Sequence, residues 1–324
     1  MKRVVAGVVG AIAAFVACTA QAQQTKVVFY TNWYAEAEHG GFYQALAEGL
    51  YKRSGLDVDI KMGGPQINVM QLLLAEQADM VMGYDIQTIK AVEQGLPVVT
   101  VAATFQKDPV VMLAHPGVAA LPDLKTRTLL IGQASETTFW PWVKAKYGFT
   151  DEQKRPYAFS VQQFLVDKNV AQQGYLTSEP YMIEKAGITP VVFLLADSGY
   201  PPYAETIVAT TKTVKDKPEM VRKFAEATAQ GWKSYLKNPA PGNALIKKAN
   251  PEMTEELMAY GVKKMKDYAL VTGGDAKTAG ILTMTDARWK QTFDFMVSAG
   301  MTPRATPYQK AYTLDFIKDV VVLP

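Results

Sequence analysis

Between Lys26 and Ala103 short β-branched runs alternate with stretches of helical apolar spacing, and this alternation confines the chain to a small set of α/β architectures. Lys26-Val27-Val28-Phe29-Tyr30 reads as a buried strand, Phe42 to Tyr51 as a helix with Phe42, Leu46 and Leu50 at one face, and Leu56 to Ile60 as a second strand. Ser54-Gly55 closes that helix, and Gly63-Gly64-Pro65 marks a turn. A helix over Val69 to Ala75, a strand at Met80-Val81-Met82 and a helix over Gln87 to Glu93 follow. Pro97 to Ala103 is almost wholly apolar and rich in valine, the pattern of a strand covered on both faces. Strands and helices at this spacing imply parallel βαβ units, in which ligands gather beyond the carboxyl ends of the strands. The loops of interest are therefore Thr31 to Gly41, Met62 to Asn68, Gly83 to Gln87 and Thr104 to Pro109.

A second alternating series begins near Val111-Met112-Leu113. It contains a strand over Thr128 to Ile131, a helix over Phe139 to Tyr147, and strands over Tyr157 to Ser160 and Val191 to Leu194, which makes a second lobe. From Thr213 the pattern is helical: Pro218 to Leu236, Asn243 to Ala249, Thr254 to Val271 and Thr285 to Ala299. Met220, Phe224, Ala227 and Gly231 fall on one face of the first of these with Trp232 beside them, and we read them as packing against the first lobe.

At the N-terminus Lys2 and Arg3 precede an apolar run from Val4 to Ala17 and the small-residue pattern Ala20-Gln21-Ala22. That run is shorter than the roughly 20 residues a spanning helix needs, so residues 1–22 read as a cleaved secretory signal peptide. An uncleaved anchor is the competing reading, and lipidation at Cys18 a third, because Phe15-Val16-Ala17-Cys18 loosely resembles a lipobox with phenylalanine in place of leucine. Cys18 is the single cysteine, so the exported chain must fold on its core without disulfides. The net charge of +3 comes without a dense Lys/Arg block, which argues against a nucleic-acid partner.

The succession Asn32-Trp33 with His39, Gly49-Leu50-Tyr51-Lys52, Ser54-Gly55-Leu56-Asp57-Val58, Ala78-Asp79-Met80, Gly95-Leu96-Pro97-Val98 and Gln106-Lys107-Asp108-Pro109 resembles the NMT1/THI5-like family, a neighbour of the sulfonate, taurine and nitrate receptors. The resemblance implies an α/β periplasmic-binding-protein type II fold, with two Rossmann-like lobes, a ligand cleft between them and two crossover connections. Lobe 1 would comprise residues 23–112 and 208–324, its C-terminal part helical, and lobe 2 residues 113–207. The crossing strands would lie near Val110 to Ala114 and Thr206 to Thr210.

Within the family, the branch with a tryptophan and a nearby histidine in the first loop is similar to receptors for the pyrimidine part of thiamine, and other relatives bind heterocycles such as riboflavin. Trp33, Tyr34 and His39 can offer ring faces and ring nitrogens to a flat heterocycle, or Trp33 can plug the core instead. Glu36 and Glu38 can accept hydrogen bonds from an amino group or cap the following helix. Gly63 and Gly64 allow close backbone approach or merely turn the chain. Tyr84 and Asp85 clamp a ligand or start a helix, and Phe105 and Gln106 follow the longest apolar strand. From lobe 2, Ser135, Glu136 and Thr137 precede a helix start, Glu179 and Tyr181 sit in a loop that looks like the family's second-lobe "EP" loop, and Tyr203 stands at the return crossing, as ligand wall or hinge packing.

The fungal members that name the family make the thiamine pyrimidine, but they carry a cysteine-rich segment and a lysine in the third loop, where this chain has Gly83-Tyr84-Asp85-Ile86. Outside the leader the chain has two histidines, His39 and His115, and no HExxH, GxSxG or Walker-type loop. We therefore expect no turnover, no cofactor and no metal. The expectation is a monomeric periplasmic receptor for a thiamine-precursor-like nitrogen heterocycle, with an ABC-transporter permease as its membrane partner. The alternatives are a receptor for riboflavin or for sulfonate-, taurine- or nitrate-type solutes, and, from another class, a thiamine-pyrimidine synthase-like enzyme.

Overall fold

The computed structural model describes residues 24–64 and 67–324; the expected leader, with Cys18, lies outside them. The described residues form two five-stranded sheets. In the first the order is β2 (Leu56–Lys61), β1 (Thr25–Tyr30), β3 (Met80–Gly83), β10 (Ala204–Thr210) and β4 (Val98–Phe105). In the second it is β7 (Lys154–Pro156), β6 (Thr128–Ile131), β8 (Val170–Tyr175), β5 (Val110–Ala114) and β9 (Val191–Leu194). Helices flank both sheets, which is the two-lobed α/β arrangement expected. Among the described residues no helix is long and apolar enough to cross a membrane.

The sheets are mixed rather than purely parallel. β1 runs parallel to β2 and β3, and β6 parallel to β7 and β8, whereas β10 is antiparallel to β3 and β4, and β5 to β8 and β9. The reason is geometric. Strands of βαβ units point their carboxyl ends at the cleft, but β5 and β10 enter their lobes from the cleft side and must run away from it. Each crossing strand belongs wholly to the sheet it enters, so the expected boundaries at 112/113 and 207/208 would cut through β5 and β10; the chain passes between sheets over residues 106–109 and 195–203.

Every residue of β4 is buried, as its unbroken apolar run requires. Helix Pro218–Lys237 lies across helix Gly40–Ala47 at a point where both backbones are glycine. A Cβ on Gly231 would stand 2.2 Å from the Gly41 carbonyl oxygen, and one on Gly41 would meet the Trp232 ring at the same distance. Phe224 reaches the first sheet, its ring 5.1 Å from both Phe29 and Tyr51. Met220, Phe224, Ala227, Gly231 and Trp232 are all buried, so this helix face is core.

Candidate functional site: a buried acidic and aromatic cluster between the lobes

The loop after β1 is held rigid from both sides. Thr31 Oγ1 donates to Trp33 O at 2.8 Å, the Gly63 amide donates to the same carbonyl at 3.1 Å, and Asn250 Nδ2 donates to Ala35 O at 3.0 Å. Gly63 must be glycine, because a Cβ there would lie 2.3 Å from Thr31 O; one on Gly64 would press on the Tyr34 ring at 3.2 Å. The two glycines thus seat the loop from beneath. A short 3-10 turn, Ala37–His39, then leads into helix Gly40–Ala47 and buries Glu36, Glu38 and His39. Glu36 makes no side-chain cap to that turn.

From the return crossing Glu205 joins this group, 2 % exposed, with φ at +53°. A non-glycine residue in the left-handed region carries strain of about 1–3 kcal/mol that the surrounding structure must over-determine, a pattern that clusters at functional sites. His39 Nε2 lies 3.8 Å from Glu205 Oε2 and 4.0 Å from Glu36 Oε1, beyond hydrogen-bond reach. Both ring nitrogens of His39, Glu38 Oε1, Glu205 Oε2, Asn32 Oδ1, Tyr175 OH and Thr177 Oγ1 are buried without a hydrogen-bond partner in the protein.

The second lobe supplies the opposite wall. β7 ends at Pro156, immediately before the strand expected over Tyr157 to Ser160, and leaves Tyr157 and Phe159 on a loop. The Phe159 ring stands edge-on to Trp33 at 5.7 Å and tilted to Tyr34 at 6.3 Å, an aromatic group shared by both lobes. Glu179 gathers three donors: Tyr157 OH at 2.5 Å on Oε1, and the Tyr175 amide at 2.8 Å and Ser178 Oγ at 2.5 Å on Oε2. Tyr181 packs across the lobes against Tyr260, the rings tilted by 40° with centroids 5.3 Å apart.

Burial sets the electrostatics. It raises Glu36 well above the usual carboxyl range, with the charges of Glu38, Glu205 and Glu179 adding to the effect, and raises Glu205 likewise, with Glu38 and Asp108 adding. Glu38 is pushed up to about 7 by burial, partly offset by Thr177. Burial drives His39 down to about 3, so it is a neutral imidazole. Lysine and arginine form no salt bridge with any of these carboxyls among the described residues; His39 is the sole basic neighbour within 4.0 Å. The cluster is rich in acceptors and poor in cations, suited to a solute edge that donates hydrogen bonds.

Of the residues anticipated from sequence, Trp33, Tyr34, Glu36, His39 and Glu179 come together here. Asp85, Phe105, Gln106 and Tyr203 do not: their side chains serve the core and the hinge. Asp85 accepts from the Ile86 amide at 2.7 Å, the Tyr203 amide at 2.9 Å and Thr292 Oγ1 at 3.0 Å. Phe105 packs edge-on to Trp232, and Gln106 Nε2 donates to Thr283 O at 2.9 Å. The Tyr203 hydroxyl accepts from the Thr285 amide, and Arg288 lies over its ring. Tyr84 is half-buried and precedes helix Asp85–Glu93 as its N-cap residue. In lobe 2, Ser135 donates to Gln173 Oε1 at 2.8 Å, Glu136 pairs with Lys154 at 2.7 Å and Thr137 donates to Ala134 O. Glu205, Asn32, Tyr157, Phe159, Tyr175 and Thr177 are the additions that sequence reasoning did not single out.

Arg288 ties the two connections together. Its Nε donates to Pro201 O at 2.6 Å and an Nη to Gln106 O at 3.1 Å. Arg288→Ala should lower the unfolding free energy by about 2–3 kcal/mol, since hydrogen bonds from a charged donor contribute about 1.5–3 kcal/mol each. Lysine should not restore it, lacking the planar fork that spans two carbonyls. Urea denaturation of the three proteins checks this, and equal midpoints for Arg288→Lys and the parent would refute it.

Several known proteins resemble this chain. It is 24% identical to the riboflavin-binding protein RibY of Chloroflexus aurantiacus over 308 residues, 92% of this chain and 88% of that protein. It is also 24% identical to the formylaminopyrimidine-binding protein of Halalkalibacterium halodurans over 256 residues, 73% and 76% of the two chains. Among solved structures, a Candida albicans protein described as exhibiting the generic periplasmic binding protein fold superimposes with a TM-score of 0.65 at 12% identity, covering 90% of this chain and 96% of that one. The NMT1/THI5-like pattern matches residues 36–241, most of both lobes. The chain belongs to the NMT1/THI5-like family.

Proposed function

We propose that this protein is a periplasmic receptor that binds a small, flat nitrogen heterocycle between its lobes and delivers it, as a monomer, to the permease of an ABC importer. The observation that carries this reading is the two-walled cluster. Trp33 and Tyr34 face Phe159 across the lobes, beside buried acceptors on Glu36, Glu38 and Glu205. Ring faces hold a flat solute and the acceptors take its N–H groups. Riboflavin and formylaminopyrimidine, named for the two relatives, are both flat nitrogen heterocycles, which supports the same solute class here. A sulfonate or nitrate would call for cationic donors, and among the described residues no lysine or arginine forms a salt bridge with the cluster's carboxyls.

The reading extends to an absence of turnover. His39 hydrogen-bonds no nucleophile, and His115 lies stacked on Phe164 in the second lobe with Nε2 on the Phe164 carbonyl. Neither forms the paired nucleophile and base that covalent catalysis requires.

Thermal shift of residues 23–324 with aminopyrimidines, thiamine, riboflavin, taurine, alkylsulfonates and nitrate tests the proposal. A solute at about one hundred times its dissociation constant stabilises the fold by roughly 2.7 kcal/mol. Trp33→Ala should weaken the response, raising the dissociation constant about two- to twelvefold, the equivalent of one aromatic contact of 0.5–1.5 kcal/mol. A response to sulfonates alone would overturn the heterocycle class.

A further inference from the structure

We propose that solute binding is exchanged against a proton: Glu36, Glu38 and Glu205 carry protons in the unliganded cleft, and a solute with a cationic, N–H-rich edge displaces one of them. The proposal rests on the receptor reading above and adds the charge of the solute edge. Each exchange moves one proton from a carboxylic acid to water and leaves a carboxylate facing a solute N–H. A singly cationic solute therefore leaves the charge of the cleft unchanged.

Geometry carries the argument. The three carboxyl groups and His39 are all nine-tenths or more buried, and like charges so confined cannot all ionise. Every titratable neighbour is acidic, phenolic or neutral. Asp108 faces them from the first crossing, Tyr235 from helix Pro218–Lys237, Tyr175 from β8, and Tyr157 and Glu179 from the second-lobe wall. Burial keeps these tyrosines protonated. Among the described residues no set of side chains is placed to hold a metal ion in compensation. The unpartnered atoms are the second sign. Glu205 Oε2, Glu38 Oε1 and both His39 nitrogens from the first lobe, and Tyr175 OH and Thr177 Oγ1 from the second, are buried without a hydrogen-bond partner.

The pH dependence follows from the direction of each shift. A carboxyl raised on folding binds more protons in the folded state than in the unfolded chain, so its contribution to stability falls as pH rises from about 4.5 toward the raised value. His39, lowered from 6.5 to about 3, acts oppositely, but only between those values. Asp85 and Asp108, raised to about 6 and about 7, act with the glutamates. Above pH 6.5 the glutamates are unopposed, and the unliganded protein should lose thermal stability as pH rises from 6.5 through about 7 and beyond.

The test uses residues 23–324 and benzamidinium, a flat probe that stays cationic throughout this range, with neutral benzamide as its control. Titration calorimetry at pH 7 in buffers of different ionisation enthalpy should show release of about one proton per benzamidinium bound and none for benzamide. Affinity should rise about tenfold per pH unit while one proton is exchanged. Glu205→Gln and, independently, Glu38→Gln should reduce the proton release and flatten the pH slope of the unliganded melting temperature. Failure of benzamidinium to bind, binding without proton release, or a slope unchanged in both variants overturns the proposal while leaving the heterocycle reading intact. If benzamidinium binds with proton release and no heterocycle binds, the exchange stands and the heterocycle reading falls.

Discussion

Gly231→Leu should lower the unfolding free energy by at least about 3 kcal/mol, because any side chain at this position must enter the space held by the Gly41 carbonyl 2.2 Å away. Neither helix can yield cheaply. Helix Gly40–Ala47 is joined directly to the site loop, and helix Pro218–Lys237 is fixed by Phe224 in the aromatic stack and by the Tyr51–Thr228 hydroxyl contact at 2.8 Å. At about 2–4 °C per kcal/mol for a large domain, the melting temperature should drop by roughly 6–12 °C, read by circular dichroism. A variant that melts with the parent would show that the crossing relaxes freely.

Glu179→Ala carries the second large effect. It leaves the Tyr157 hydroxyl, the Tyr175 amide and the Ser178 hydroxyl without their acceptor at a carboxyl only 3 % exposed. An orphaned buried donor costs about 1–3 kcal/mol, so the stability loss should reach about 3 kcal/mol. Solute affinity should fall about thirtyfold as Tyr157 and Phe159 lose their position, a change of about 2 kcal/mol. Glutamine should restore most of the loss: its Oε1 can accept from the Tyr175 amide and Ser178 Oγ while its Nε2 donates to the Tyr157 hydroxyl oxygen, which accepts as well as donates. A Glu179→Ala protein as stable as the parent would contradict this account of the network.

The first lobe was legible because its strands are apolar and β-branched and its loops short, so the loop from Trp33 to His39 could be placed beyond a strand end directly. The second lobe was less so. Its central strand β8 went unseen because Gln172, Gln173 and Gly174 interrupt the apolar pattern, although Gln173 faces the Gly132 loop and accepts from its amide at 2.6 Å. The pattern from Tyr157 to Ser160 is that of a strand, which hides the place of Tyr157 and Phe159 on a loop. Glu205 left one usable sign, a lone acid in the run Ala204–Thr210 that is otherwise small, apolar or threonine. Asp85 shows the opposite case. An acid after a strand has the same sequence signature whether it meets a solute or three donors of its own chain, and the Tyr203 amide and Thr292 that settle the matter are more than one hundred residues away.

The placement of β10 between β3 and β4 bears on how such a chain comes to be folded. A polypeptide that emerges amino end first, from a ribosome or through a translocation pore, presents β1 to β4 long before residues 204–210 exist as a partner for them. Until then β3 and β4 have no strand between them, and their open edges cannot close into the finished sheet. The whole intervening lobe must pass before the first lobe can lock, which makes its contacts non-local and its completion slow. Such wiring keeps the leading segment from reaching its final form early and so favours passage of an unfolded chain, at the expense of a longer interval in which apolar strands need shielding.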